Sequence, residues 1–518
     1  MKWTRLKRFL HWFAVVAIAG SFLLPTAGKA DDQSQEIERL LKRIEQLEKK
    51  VNGLESGSAN PAPSTAPGGT NTVVIQELEQ KVKILERNRE LDAEAAAAKA
   101  KETPKVTIGE RGIGVASASG DFSVQLKGVL QVDSRRYFDD GAITGNAGFL
   151  LRRVRPILQG TFYRDFDFLF VPDFAGSSPQ IFDAYLNYRY QPELQLRVGK
   201  FKSPIGLEQL QADVNTLFNE RSLVTDLVPN RDVGLQLWGD IAGGLLSYQA
   251  ALLDGVGDAR NNTINGGFNN SPEFAGRLFV QPFKNTELAP LQGLGFGIAG
   301  SYGFVSSNNP AGLPASTGGA LPGYATVGQQ QFFAYNPAVG TVVADGNHWR
   351  LSPQAYYYFG PLGVMAEYAM SNQRVTRPGT PARPALSANL ENTAWQIAAS
   401  WVLTGEDASF NGVVPRRPFD IANGQWGAVQ IVGRYTALEV DDDAFPIFSN
   451  PNFSASSASG WSAGINWYLN RNIRLNASYS YTTFEGGGGA GAGGGAVAPA
   501  IVSRQPEQVF FTRLQLSF

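Results

Sequence analysis

The sequence predicts an all-β protein, a 16-stranded antiparallel transmembrane β-barrel preceded by a short α-helical coiled-coil segment. Three observations predict it. The chain closes on Val509-Phe510-Phe511-Thr512-Arg513-Leu514-Gln515-Leu516-Ser517-Phe518, where one alternating face is apolar, the other is mostly polar, and the last residue is aromatic. The same period of two recurs back to about residue 121, the pattern of strands with lipid on one side and water on the other. The links between these runs mostly alternate between short and long, as between the two ends of an outer-membrane barrel.

At the N terminus, Lys2, Arg5, Lys7 and Arg8 form a basic start, Phe9 to Leu24 is apolar, and Gly28-Lys29-Ala30 supplies small residues for cleavage. Residues 1–30 read as a secretory signal peptide, with a retained anchor as the alternative. No later apolar run reaches the roughly 18 residues a spanning helix needs. A closed barrel still crosses lipid, because closure satisfies every backbone donor and acceptor. The chain has no cysteine, which excludes disulfides and thiolate metal sites. A formal net charge of -1 carries no message about partners until it is divided by face.

Residues 31–104 read as helical. Ile37, Leu40, Ile44, Leu47, Val51 and Leu54 recur at heptad spacing over 35–55. A Ser/Pro/Gly/Ala stretch at 56–70 is a flexible spacer. A second heptad run follows with Ile75, Leu78, Val82 and Leu85, running into an Ala-rich helix near residue 100. One solvated amphipathic helix is the alternative, because each run is short.

The barrel is expected over 119–518, with strands near 121–133, 149–163, 166–173, 180–190, 193–202, 232–240, 243–254, 273–284, 293–305, 346–359, 361–376, 391–404, 425–440, 459–469, 471–483 and 506–518. The even count suits a bacterial barrel. Two links break the alternation: 174–179 is short where a long loop is due, and 405–424 is long where a turn is due. The Gly/Ala run from Gly486 to Gly495 reads as a flexible loop, since no Lys-Ser/Thr pair follows it.

Five segments carry a family resemblance: DAYLNYRYQPELQLRVGKFKSPIGLEQL from Asp183, NERSLVTDLVPNRDVGLQLWGD from Asn219, EFAGRLFVQPF from Glu273, WVLTGEDASFNGVVPRRPFD from Trp401 and GINWYLNRNIRLNASY from Gly464. In this order and spacing they resemble the phosphate-selective porin family, porins O and P. The resemblance implies a sixteen-stranded trimeric barrel in the bacterial outer membrane, a third loop folded into the channel, and an anion path lined by arginines. It also implies passive uptake of phosphate or related small anions.

Dividing each strand by face gives the residues that would act. Arg153, Arg155, Gln159 and Thr161 fall inside, and Leu150, Val154, Leu158 and Phe162 outside. Arg197, Arg277, Arg434 and Arg474 fall inside on their strands, as do Lys127, Arg189, Arg350 and Arg513. The inward acids on the strands are Asp133, Asp167, Asp173, Asp183 and Glu367. That leaves ten cations against five anions on one wet surface, a field that would enrich anions in a confined channel. Arginine suits this task because its planar fork bonds two oxygens and never loses its charge. Pairing of these arginines with lumen acids is the structural alternative. Arg152 falls on the lipid side, near the outer end. Lys202, Arg221 and Arg231 are constriction-loop candidates, but the 203–231 loop also carries Glu208, Asp213, Glu220 and Asp226. Only four lysines occur after residue 121 (Lys127, Lys200, Lys202 and Lys284), which weakens phosphate specificity more than anion preference.

Trp349, Trp395, Trp401, Trp461 and Trp467 fall outward, suited to interfacial girdles or to packing between subunits. The enzyme alternative needs a base beside a nucleophile. The mature chain holds one histidine, His348, read as a solvated residue at a strand mouth. No catalytic residue, metal site, cofactor or nucleic-acid partner is expected. The expected partners are outer-membrane lipid, small anions, two further copies of the chain, and a cell-wall or periplasmic partner for the coiled coil. A general diffusion porin with a tethering coiled coil is the alternative function.

Overall fold

The computed structural model describes residues 70–138, 147–176, 178–262, 272–305, 321–335, 342–379, 381–489 and 502–518. The leader, the first heptad run and nearly all of the spacer lie outside them, as does the Gly/Ala run beyond residue 489.

The second heptad run forms helix α1, Thr70–Glu102. Its stripe residues Leu78, Val82 and Leu85 are all exposed, and no helix pairs with it among the described residues.

A hairpin follows, β1 (Lys105–Gly109) with β2 (Gly112–Ala116). The barrel strands are β3 (Ser123–Tyr137), β4 (Gly148–Phe162), β5 (Phe166–Asp173), β6 (Gln180–Gln191), β7 (Leu194–Lys202), β8 (Arg231–Ile241), β9 (Leu246–Leu253), β10 (Glu273–Val280) and β11 (Leu294–Val305). After a small inner hairpin, β12 (Tyr324–Ala325) with β13 (Gln331–Phe333), come β14 (Val343–Phe359), β15 (Leu362–Arg377), β16 (Leu386–Val402), β17 (Ala428–Glu439), β18 (Ala455–Tyr468), β19 (Ile473–Gly486) and β20 (Glu507–Ser517). Each barrel strand pairs antiparallel with its neighbours in sequence, and β20 pairs with β3 to close the wall. All sixteen expected strands form. The inner hairpin and β1–β2 were not foreseen, because runs of two to five residues are too short for a periodic pattern to stand out.

Closure ends on Phe518. It exchanges two backbone hydrogen bonds with Gly128, at 2.9 and 3.0 Å. Its ring lies so close to Gly128 that a Cβ there would meet it at 2.7 Å. β3 continues beyond this point, and β2 pairs with its residues Ser123–Leu126. The hairpin thus covers an edge that would otherwise be open.

One end of the barrel carries tight turns. At the β4–β5 turn, Tyr163 and Arg164 adopt φ of 47° and 66°, matching the twist of a short hairpin. The exception at this end, the 403–427 link, does not hang free. Its Phe410 packs with Leu207, Phe279, Met365 and Tyr356 inside the barrel.

The other end carries the long loops, and described parts of three of them fold inward. Ile205, Leu223, Val224, Leu227 and Val228 of the 203–230 loop pack against Tyr324, Phe332 and Phe333 and against wall residues Phe201, Val375, Leu390 and Phe484. The expectation of water throughout the barrel is corrected accordingly. Part of the lumen is a packed apolar core, because loops this rich in Leu, Val and Phe bury their side chains against one another.

Candidate functional site

Period-two alternation turns every second side chain of a strand inward. Arg153, Arg155, Arg197, Arg277, Arg350, Arg434, Arg474, Arg513, Arg189 and Lys127 all sit at inward positions of their strands, but in three different environments.

The first is a clamp on the 203–230 loop. Asp213 lies at its centre. Arg155 pairs with it, Arg221 reaches it at 2.6 Å, Arg153 at 3.5 Å and Arg231 at 3.8 Å. Arg155 also holds Asp173 at 2.6 Å, and Arg231 holds Asp183 at 3.3 Å. Burial raises the Asp213 carboxyl, and the guanidiniums of Arg153, Arg221 and Arg155 outweigh it, leaving the group well below the usual carboxylate range. Glu220 forms the second anchor. Arg152 donates to both its oxygens, at 2.6 and 2.9 Å, with Arg135 at 3.3 Å and Arg513 at 3.6 Å. Arg513 forms a two-point pair with Asp133 at 2.6 and 2.7 Å, both side chains fully buried. Arg434 pairs with Glu208 at 3.2 Å. Arg474 donates to the Thr216 carbonyl, and Lys202 to the Gln211 carbonyl. From the wall, Glu367 accepts the backbone N–H of Leu207 at 2.5 Å, at the start of the one-turn helix α2, Leu207–Leu210.

The second environment is a latch on the 254–262 loop. Arg350 reaches Asp258 at 2.6 Å and Glu273 at 2.8 Å. His348 is buried here, not solvated at a strand mouth as expected. Its Nε2 lies 3.1 Å from Ser371 Oγ and 3.4 Å from Asp258 Oδ1, while Ser371 donates to Asp258 Oδ2 at 2.6 Å. A triad holds its acid on the imidazole nitrogen opposite the nucleophile. Here acid and hydroxyl share one nitrogen, and Arg350 occupies the acid. The cluster ties a loop to β14 and β15 and lacks the layout of a nucleophile with its base.

The third environment is the wall β6–β10. Arg197 lies with its guanidinium carbon 4.4 Å from the Tyr185 ring centre and 4.9 Å from that of Trp238. It donates no hydrogen bond to a described residue, and its Nε is buried without a partner. Arg277 lies 4.5 Å from the Phe279 ring and donates only through Nε, to Gln354 at 2.9 Å. No described carboxylate comes within 4.0 Å of either guanidinium. The same holds for Lys127, farther down β3. Arg189 sits at the tight-turn mouth, with Asp167 at 3.3 Å and the Arg164 carbonyl at 2.7 Å.

Three expectations need correction. Arg152 does not face lipid. The register shifts between Gln131 and Val132, so β4 bulges at Arg152 and turns that side chain in to Glu220. Above the bulge the faces exchange. Leu150 pairs with inward Asp133 and so points inward, while Leu151 is 57% exposed. Most of the ten inward cations are also not free, because inward-folded loops bring Glu208, Asp213, Glu220 and Asp258 against the arginines. These loop acids are the partners that face-counting on strands left out. For Glu208, Asp213 and Glu220 the signal was present in the acidic composition of the 203–231 loop.

Residues 124–486 match the family model described as phosphate-selective porin O and P. No curated protein sequence matches the chain. Similar solved structures include the anion-selective porin from Comamonas acidovorans, with 10% identity, a TM-score of 0.46, and coverage of 77% of this chain and 100% of that one. The trimer form of OmpT from Vibrio cholerae has 10% identity and a TM-score of 0.43, covering 77% and 99%. OmpF from Salmonella typhi, in complex with daunomycin, has 13% identity and a TM-score of 0.43, covering 77% and 98%. At such identities and scores no residue role passes from these structures to this chain.

Proposed function

The chain belongs to the phosphate-selective porin O and P family, and from that premise we propose that this outer-membrane porin forms a water-filled channel that prefers anions, for passive uptake of phosphate or related small anions. One observation carries the preference. Arg197 and Arg277 stand on β7 and β10 with terminal N–H groups unpaired among the described residues and no described carboxylate within ion-pair distance. Lys127 adds a third such cation near the tight-turn mouth. Fixed cations in a confined, low-dielectric channel raise the local concentration of counter-anions. The clamped arginines have a different part. They hold the 203–230 loop in the channel and set how much of the cross-section stays open.

The same reading assigns residues 1–30 to a signal peptide, 31–104 to periplasmic helices that associate as a coiled coil, and 119–518 to the barrel. It makes the assembly a homotrimer joined by barrel walls, with the helices as a tether to the cell wall or a periplasmic partner. A general diffusion pore with that tether is the competing function. The zero-current potential of purified protein in a planar bilayer across a salt gradient separates the two. An anion-favouring sign supports the proposal, and an unselective pore favours general diffusion.

A further inference from the structure

The two carboxylate-free arginines differ from a phosphate site in a way that bears on the substrate. We infer that the lumen takes monovalent organic anions, carboxylates with an apolar or aromatic body, in preference to inorganic phosphate. This rests on the anion-channel reading and replaces phosphate with a carboxylate as the preferred ion.

A dianion is held by several donors and cations converging on one point. Arg197 on β7 and Arg277 on β10 do not converge, since three strand spacings, about 14 Å, separate them along the wall. The nearest lysines do not fill in, because Lys200 is bonded to the Asn262 carbonyl and Lys202 to the Gln211 carbonyl. Arg189 is turned to Asp167 and the Arg164 carbonyl. Each station therefore offers a single positive charge. Between them, Gln236 and Gln249 leave buried carbonyl oxygens without partners. Such acceptors suit water and supply no donor to an anion.

A carboxylate fits what is present. Arg197 lies over Tyr185 and Trp238 and Arg277 over Phe279, and the terminal N–H edge of each guanidinium has no partner among the described residues. That edge binds two carboxylate oxygens in one plane. The aromatic surroundings then have a use. Tyr185 and Trp238 flank the first station. Beside the second, Phe279 lies 4.9 Å from Tyr356, which stacks on Phe410 at 5.6 Å. Phe279 itself is buried in that cluster, but Tyr185, Trp238, Tyr356 and Phe410 keep part of their surface exposed and give an apolar body a contact that phosphate cannot use.

The test uses purified full-length protein in planar bilayers bathed in potassium chloride, titrated with potassium benzoate, acetate or phosphate near neutral pH. Benzoate is expected to interrupt the chloride current at a concentration about tenfold below that of phosphate, with acetate weaker than benzoate. Arg197→Gln and Arg277→Gln, checked for folding by heat-modifiable mobility, should each raise the benzoate half-block concentration about tenfold. Phosphate blocking at the lower concentration overturns the inference without any variant. So does a benzoate block that both variants leave unchanged. A cation-selective pore sinks the anion-channel reading together with this inference. An anion-selective pore indifferent to benzoate sinks this inference alone.

Discussion

Asp213 receives Arg153, Arg155 and Arg221 in the middle of the barrel, with Arg231 close by. A buried charge so surrounded cannot be removed without leaving its partners uncompensated, which costs on the order of 3–5 kcal/mol. Asp213→Asn should therefore loosen the 203–230 loop while the barrel persists. Faster trypsin cleavage at Arg221 and noisier single-channel current are the readouts, and unchanged values for both would contradict the clamp. The expected effect differs at Arg513. Arg513→Gln strands the buried Asp133 on the wall itself, so it should lower the unfolding temperature of the whole barrel. At this scale the sequence was only partly legible. Inward arginines could be read by alternation, but their partners lie far along the chain, as with Arg434 and Glu208. Arg152 was misread because one bulge shifts the count by a residue and exchanges the faces. His348 was misread because its burial depends on loop residues around Asp258, which no local pattern brings to it.

Strands were the most legible elements. Each has one face against lipid, where polar side chains are costly, so the alternation is clear except at bulges such as the one at Arg152. The β4 face carries Leu158 outward, 37% exposed in the isolated chain, and β19 carries Leu475 outward. Leu158→Arg or Leu475→Arg should each weaken insertion by about 2–4 kcal/mol at the membrane midplane. Refolding yields into lipid vesicles measure this, and normal yields for both would show the strand register to be wrong. Leu150→Arg makes the contrast, since Leu150 faces inward above the bulge. The helices belong to the same scale. Deleting residues 31–104 should leave a heat-sensitive oligomer on unheated gels, because the assembly is assigned to barrel walls. A product that runs only as monomer would move that role to the helices.

The barrel is a closed wall with described parts of its long loops turned in. Closure was legible from an even strand count and from the terminal alternation that ends on Phe518. The packed part of the lumen was not. Loops lack a period, and Leu223, Phe332 and Phe448 meet only because three separate loops enter the same space. This arrangement divides the lumen cations by task, with clamped guanidiniums fixing the loop and open ones on β7 and β10 left to act on the permeant ion. That division is the central claim. The zero-current potential in a potassium chloride gradient tests it most directly, comparing the unaltered pore with an Arg197→Gln/Arg277→Gln double variant. The account predicts anion selectivity in the unaltered pore and a clear shift toward cations in the variant. Cation selectivity in the unaltered pore, or a potential that the double substitution leaves in place, would contradict it.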